Sequence, residues 1–74
     1  MNIRDILAVN VRRLREAREW SQEELADRAG IDRTYISSIE RSKYAASIEI
    51  LDRLARALNV EAAELLKRPT ASRA

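Results

Sequence analysis

The 74 residues contain no cysteine and no histidine, so neither a disulfide nor a Cys/His zinc site can brace the fold. Phenylalanine is absent, and there is a single glycine, a single proline and only 4% aromatic residues. Set against abundant Ala, Leu, Arg and Glu, this scarcity fits short helices joined by tight turns and argues against sheets. Long hydrophobic runs are missing too. The longest near the N-terminus, Ile6-Leu7-Ala8-Val9, falls far short of the 18 or so residues of a membrane span. Arg4, Asp5, Arg12, Arg13 and Arg15 break any signal-peptide pattern, so the expectation is a soluble cytoplasmic protein with no membrane partner. An excess of one charge is also lacking. Fourteen basic against 12 acidic side chains leave +2, so any argument for a nucleic-acid partner must be local. Without His, Cys or a glycine-rich phosphate loop, and with too short a chain to enclose a pocket of about 300 Å³, no enzyme, cofactor, metal or small-molecule ligand is expected.

What is present points to a folded chain. At 46% hydrophobic and 35% charged residues the composition is not that of a disordered segment. The length allows one domain, and a domain this small buries only about 60% of its unfolded surface. Helix packing and association with another copy are the remaining candidate sources of stability.

Helical periodicity and capping signals divide the chain into five helices. Asn2 caps a first helix, with Asp5 in its first turn and Ile3, Leu7, Val11 and Leu14 on one face, running to about Glu19. Ser21 and Glu24 form an S-x-x-E capping box, with Trp20 and Leu25 placed as a hydrophobic staple. The second helix starts at Gln22 and ends at Ala29, because Gly30 can take the left-handed position that follows. Asp32 caps a third helix from Arg33 to about Arg41, with Ile36 and Ile39 inward. So short a turn forces a steep crossing, which the small Ala26 permits. Residues 42–46 read as a loop. Ser47 caps a fourth helix with Ile48, Leu51, Leu54, Ala55 and Leu58 buried and Glu49, Asp52, Arg53 and Arg56 wet. Asn59 ends it, a short fifth helix from about Glu61 presents Leu65 and Leu66, and Pro69 closes the ordered part. The domain is expected over residues 1–69, with 70–74 a disordered tail.

The outward face of the third helix is unusual. Thr34, Ser37, Ser38 and Arg41 fall at i, i+3, i+4 and i+7 with Arg33 at the edge, so one face carries hydroxyls and arginines and no acid. Serine and threonine are mediocre helix formers, and lining an exposed face with them costs stability for no packing return. A ligand would explain it: arginine reads guanine bidentately, hydroxyls contact bases or phosphates, and the major groove admits an α-helix. The second helix, with Glu23, Glu24, Asp27 and Arg28 outward, is an ordinary solvated surface. Trp20 is better placed as a staple than as a binding aromatic. Tyr35 could pack beside Trp20's helix end or face phosphate. Arg12, Arg13 and Arg18 are expected to be solvated or paired with Glu16 and Glu19.

QEELADRAGIDRTYISSIER, residues 22–41, resembles the helix-turn-helix of the phage-repressor and Cro-like regulators, also called the XRE type. Ala26, Gly30, Ile36 and Ile39 match that motif's small residue, turn glycine and two core positions, and Leu25 and Ile31 its flanking apolar ones. The resemblance continues through LDRLARALNV and AAELL, covering about residues 10 to 66. Within the family, DRTYISSIER is similar to the controller proteins of restriction-modification systems. The resemblance implies an all-α, five-helix, lambda-repressor-like domain that binds double-stranded DNA as a homodimer and regulates transcription. Gln22 would donate to a phosphate. Arg33 and Thr34 would reach base edges, with Ser37 and Ser38 lining the groove, and Tyr35, Arg41, Lys43 and Tyr44 would hold the backbone. Arg15 and Glu40 match a pair that forms a salt bridge in the family, without which Glu40 would be an odd acid near phosphates. Ser42 and Ala46 replace a glycine and a proline common in the family's loop, and a left-handed Ser42 would carry strain.

Apolar side chains left over on the last two helices, Ile50, Val60 and Leu66, are the expected source of the dimer interface. Exposed Glu23, Glu24 and Asp27 are candidates for touching RNA polymerase. The alternative from another class is a protein-interaction module, antitoxin-like or an adaptor, that uses the same helical face on a protein.

Overall fold

The computed structural model describes residues 1–69; the expected tail over 70–74 lies outside the described residues. Among these the chain forms α1 (Ile3–Ala17), α2 (Gln22–Ala29), α3 (Arg33–Glu40), α4 (Ile48–Leu58) and α5 (Ala62–Leu65), with no strand. All four expected N-caps form: Asn2, Ser21, Asp32 and Ser47 accept from the backbone N–H groups of Asp5, Glu24, Thr34 and Ile50. Each satisfies one of the donors that a helix start leaves without an intrahelical partner. The capping box at Ser21 is one-sided, because the Glu24 carboxylate turns along the helix to Arg28 at 2.7 Å.

The helix ends share one device. Glu19, Gly30, Ser42 and Asn59 are the residues with positive φ, and each is the left-handed residue of a paired 6→1 and 5→2 hydrogen-bond closure. Trp20 and Glu19 donate to the carbonyls of Arg15 and Glu16, and Ile31 and Gly30 to those of Ala26 and Asp27. Lys43 and Ser42 donate to those of Ser38 and Ile39, and Val60 and Asn59 to those of Ala55 and Arg56. The expectation that α1 reaches Glu19 is corrected by this closure: the helix stops at Ala17 because Glu19 reverses the chain at φ 59°. Ser42, standing where the family often has glycine, adopts φ 60°, and α3 ends at Glu40, one residue short of Arg41.

The core lies where α1, α2, α3, α4 and α5 meet, around Val11, Leu25, Ile36, Ile39, Leu54, Leu58 and Leu65, none of which retains measurable exposure. Helix α3 packs on α1 and α2, while α4 backs α2 and α5. Ala26, 3% exposed, sits in the steep α2/α3 crossing as its size requires. Two expected core positions are exposed instead. Ile3 keeps 55% and Ile48 82% of their accessibility, because each occupies the first turn of its helix, beyond the reach of the elements that cover the later turns. Ile6, at 1%, takes the inward place in α1.

Side chains complete the frame in place of covalent staples. Buried Asn10 donates to the carbonyls of Leu65 and Lys67 at 2.9 and 2.8 Å, closing α5 onto α1. Arg18, expected to be solvated or paired with acids, instead donates to the Leu14 and Leu58 carbonyls and so caps the end of α4. An alanine at Gly30 has room, the nearest atom to its Cβ being Arg53 Nη1 at 3.6 Å, but must adopt φ +68°. Gly30→Ala should therefore lower the unfolding free energy by about 1–2 kcal/mol in urea titrations. Ser42→Gly should give a smaller rise, since it relieves the same strain. An unchanged midpoint for Gly30→Ala would show that backbone conformation is not what requires glycine there.

Candidate nucleic-acid interface

Helix α3 is presented by the elements behind it. Ile36 and Ile39 anchor one side in the core, and the turn that leads into it is held from α4, where Arg53 Nη1 donates to the Gly30 carbonyl at 2.9 Å. The opposite side faces out. Arg33, Thr34, Tyr35, Arg41 and Lys43 are exposed, and Ser37, Ser38 and Tyr44 are half-buried. Arg33, Arg41 and Lys43 form no ion pair among the described residues, so three cations line this helix and its exit.

Glu40 is on the same helix but not on this surface. Its side chain retains 4% exposure, and Arg15, itself 11% exposed at the side chain, meets it with Nε on Oε2 at 2.7 Å and Nη2 on Oε1 at 2.9 Å. This planar, two-bond arrangement is the strong form of an Arg–carboxylate pair. Arg15 Nη1 donates to the Trp20 carbonyl at 2.7 Å, which ties the entrance of α2 to the same group. The Arg15 guanidinium is held above its ordinary value, first by the hydrogen bond to Glu40 and then by the charges of Glu40 and Glu16, against the opposing effect of burial. Gln22, at the first residue of α2, is half-buried and donates from Nε2 to Glu40 Oε1 at 3.1 Å.

Of the two expectations for Tyr35, packing beside Trp20's helix end is corrected by its ring pairing. Its ring lies against Tyr44, centroids 5.1 Å apart and planes 34° from parallel, and keeps 43% exposure. Trp20 packs on the core edge with the guanidinium of Arg28 4.2 Å from its ring centre, a cation–π contact that belongs to the α2 surface.

Sequence reasoning placed Asp32 as the cap of α3 but missed its hold on the Thr34 hydroxyl. Asp32 Oδ1 accepts from both the Thr34 N–H at 2.9 Å and the Thr34 hydroxyl at 2.5 Å. The Thr34 hydroxyl hydrogen is thereby engaged, leaving its oxygen to accept. These bonds, side chain first and backbone second, hold the Asp32 carboxyl below its ordinary 3.8. A carboxylate whose folded value is depressed adds stability that is present above the unfolded value and lost as pH falls through the folded one. The stability gap between the wild type and Asp32→Ala should accordingly be full near neutral pH and narrow as pH drops below 3.8. A gap constant with pH in acid titrations of unfolding would mean that the carboxylate charge is not what caps α3.

Of the residues expected at a dimer interface, Ile50 and Val60 are half-buried against their own core, while Leu66 stays 39% exposed. Ile3, Leu7, Ala45, Ala46, Ile48, Leu51 and Leu66 line an apolar groove of about 220 Å³. A second hollow of about 320 Å³, open to solvent, is lined by Asn10, Arg13, Glu64, Lys67, Arg68 and Pro69. Its back wall is already engaged, the Asn10 amide with Leu65 and Lys67 and its oxygen with Arg13.

This architecture recurs in solved structures of relatives. The HTH_3 helix-turn-helix family matches residues 11–65. A hypothetical transcription factor of Neisseria meningitidis serogroup B is 43% identical over 68 residues, covering 92% of this chain and 64% of that protein. The chain thus spans somewhat under two thirds of that relative's length. The crystal structure of the Neisseria factor superposes with a TM-score of 0.89, over 92% of this chain and 78% of that one. Control protein C.SmaI of Serratia marcescens is 46% identical over 92% of this chain and 81% of its own length. The restriction-modification controller protein C.AhdI of Aeromonas hydrophila is 37% identical with a TM-score of 0.81, over 84% and 94% of the two chains. Two-helix geometry, core and extent of identity agree: the chain belongs to the HTH_3 helix-turn-helix family, close to the restriction-modification controller proteins.

Proposed function

We propose that the chain is a transcriptional regulator of the restriction-modification controller type that binds double-stranded DNA as a homodimer on a pseudo-palindromic operator. The observation that carries this reading is the outward side of α3, where Arg33, Arg41 and Lys43 stand free of ion pairs among the described residues while the helix's own acid, Glu40, is turned inward onto Arg15. Arg33 and Thr34 read base edges from the first turn of α3, and Ser37 and Ser38 line the groove. Gln22, Tyr35, Arg41, Lys43 and Tyr44 contact the sugar-phosphate backbone, with the two tyrosine rings acting as one block. Weak global charge is no obstacle, because the docking side carries three cations free of ion pairs among the described residues.

Arg33→Ala should then cost about 1–3 kcal/mol on the selected operator and little on random DNA, whereas Lys43→Ala should weaken both evenly and reduce the salt slope by about one unit. Equal losses for Arg33→Ala on both DNAs in gel-shift titrations would assign it to phosphate. Binding that is insensitive to salt would favour the interaction-module alternative.

Two recognition helices must lie about 34 Å apart to enter successive major grooves, and the apolar groove supplies a surface for the second copy. Ile48, Ile3 and Leu66 are its large exposed groups, whereas Ile50 and Val60 are half-buried against the core and do not line it. Because Ile48 is 82% exposed, Ile48→Glu should leave the monomer fold intact yet shift the protein to monomers in sedimentation equilibrium and weaken operator binding. A dimer that survives the substitution would place the interface elsewhere. A polymerase contact through α2 would rest on Glu23 and Asp27, since Glu24 is paired with Arg28.

A further inference from the structure

Gln22 occupies an uncommon position for a phosphate ligand, because its side-chain nitrogen already serves an anion inside the fold. The Glu40 carboxylate is acceptor-only when ionised, so it can face the Nε2 end of the Gln22 amide and repels the Oε1 end. The 3.1 Å contact from Nε2 to Glu40 Oε1 therefore fixes which way round the amide sits, by chemistry and independently of how N and O are told apart. Glu40 is itself immobilised. Both its oxygens accept from Arg15, its side chain is 4% exposed, and Arg15 is anchored a third time on the Trp20 carbonyl, one residue before the Ser21 cap of α2. Nε2 carries two hydrogens, and one of them is spent on Glu40. The other remains for an acceptor outside.

We propose that Glu40 is a positioning residue for DNA binding: held by Arg15, it orients the Gln22 amide so that Nε2 bridges two anions, the buried carboxylate and a backbone phosphate. This inference rests on the DNA-binding reading above and adds to it a coupling between residues 18 apart in sequence. In water a glutamine amide rotates freely and offers oxygen as readily as nitrogen. Here the wrong orientation is excluded before DNA arrives, which removes an ordering cost from the binding step. The same acid that would oppose DNA if exposed is thereby used, at one remove, to favour it.

The test has two parts. In the free wild-type protein, the two side-chain amide protons of Gln22 should be resolved by NMR, one shifted downfield by the carboxylate, and in Glu40→Gln they should return towards the values of a solvated glutamine. Solvated values in the wild type would overturn the contact without reference to DNA. On an operator selected from a random DNA pool, Gln22→Met should weaken binding about fivefold to tenfold, the worth of one hydrogen bond to a phosphate. In the Glu40→Gln background the same substitution should cost less than about twofold, a coupling that a purely structural ion pair would not produce. Equal losses in the two backgrounds would overturn the inference while leaving DNA binding intact, and no salt-dependent binding by the wild type would overturn the DNA-binding reading itself. If Glu40→Gln does not fold, as thermal unfolding would reveal, the wild-type amide spectrum and Gln22→Met decide. Loss of the downfield proton on titration with DNA, or full affinity in Gln22→Met, overturns the proposal.

Discussion

The Arg15–Glu40 pair is the interaction on which the rest of this small domain depends. One guanidinium holds the end of α3 through two bonds and the approach to α2 through the Trp20 carbonyl, so three helices take their mutual placement from a single side chain of α1. A buried pair of this kind contributes little net stability compared with an apolar replacement, but loss of one partner leaves an uncompensated charge and costs about 3–5 kcal/mol. Against a total stability of about 5–15 kcal/mol for a domain, neither partner can be removed lightly. The pair also decides the electrostatics of the outward face, because it withdraws from solvent the one acid that α3 contains.

Around that pair the chain manages without covalent bracing by satisfying its helix ends with its own groups. Four helices close on left-handed residues, only one of them glycine. Carbonyls at two helix ends and in the α2/α3 turn are taken up by side chains from elsewhere in the fold. Arg18 serves α4, Arg53 serves the α2/α3 turn, and Asn10 serves α5. A thin core is compensated by donors that lock its boundaries, and the outward side of α3 stands outside that frame.

The helices, their starts and the helix-turn-helix were legible in the sequence because each signal is local. Ser21 with Glu24, Gly30, Asp32, Ser47 and Asn59 act on backbone groups within five residues of themselves, and their effect does not depend on the rest of the chain. The candidate DNA-facing residues were legible as a pattern, an acid-free run of hydroxyls and arginines at helical spacing, and the family resemblance supplied the inward role of Glu40. Burial at helix starts was not legible. Ile3 and Ile48 satisfy the periodicity of a buried stripe, yet nothing in periodicity records whether a neighbouring element reaches that turn.

The sequence by itself determined the secondary structure, the turn chemistry and the set of side chains available on each helical face, because those follow from contacts between residues a few positions apart. Tertiary structure alone decided that Arg18 caps a helix 40 residues away, that Gln22 meets Glu40, and that Tyr35 leans on Tyr44 instead of Trp20. It also decided where the apolar surface remains open, at Ile3, Ile48 and Leu66. Each of these depends on the angle and height at which two helices cross, which the packing of the whole core sets and no stretch of sequence carries alone.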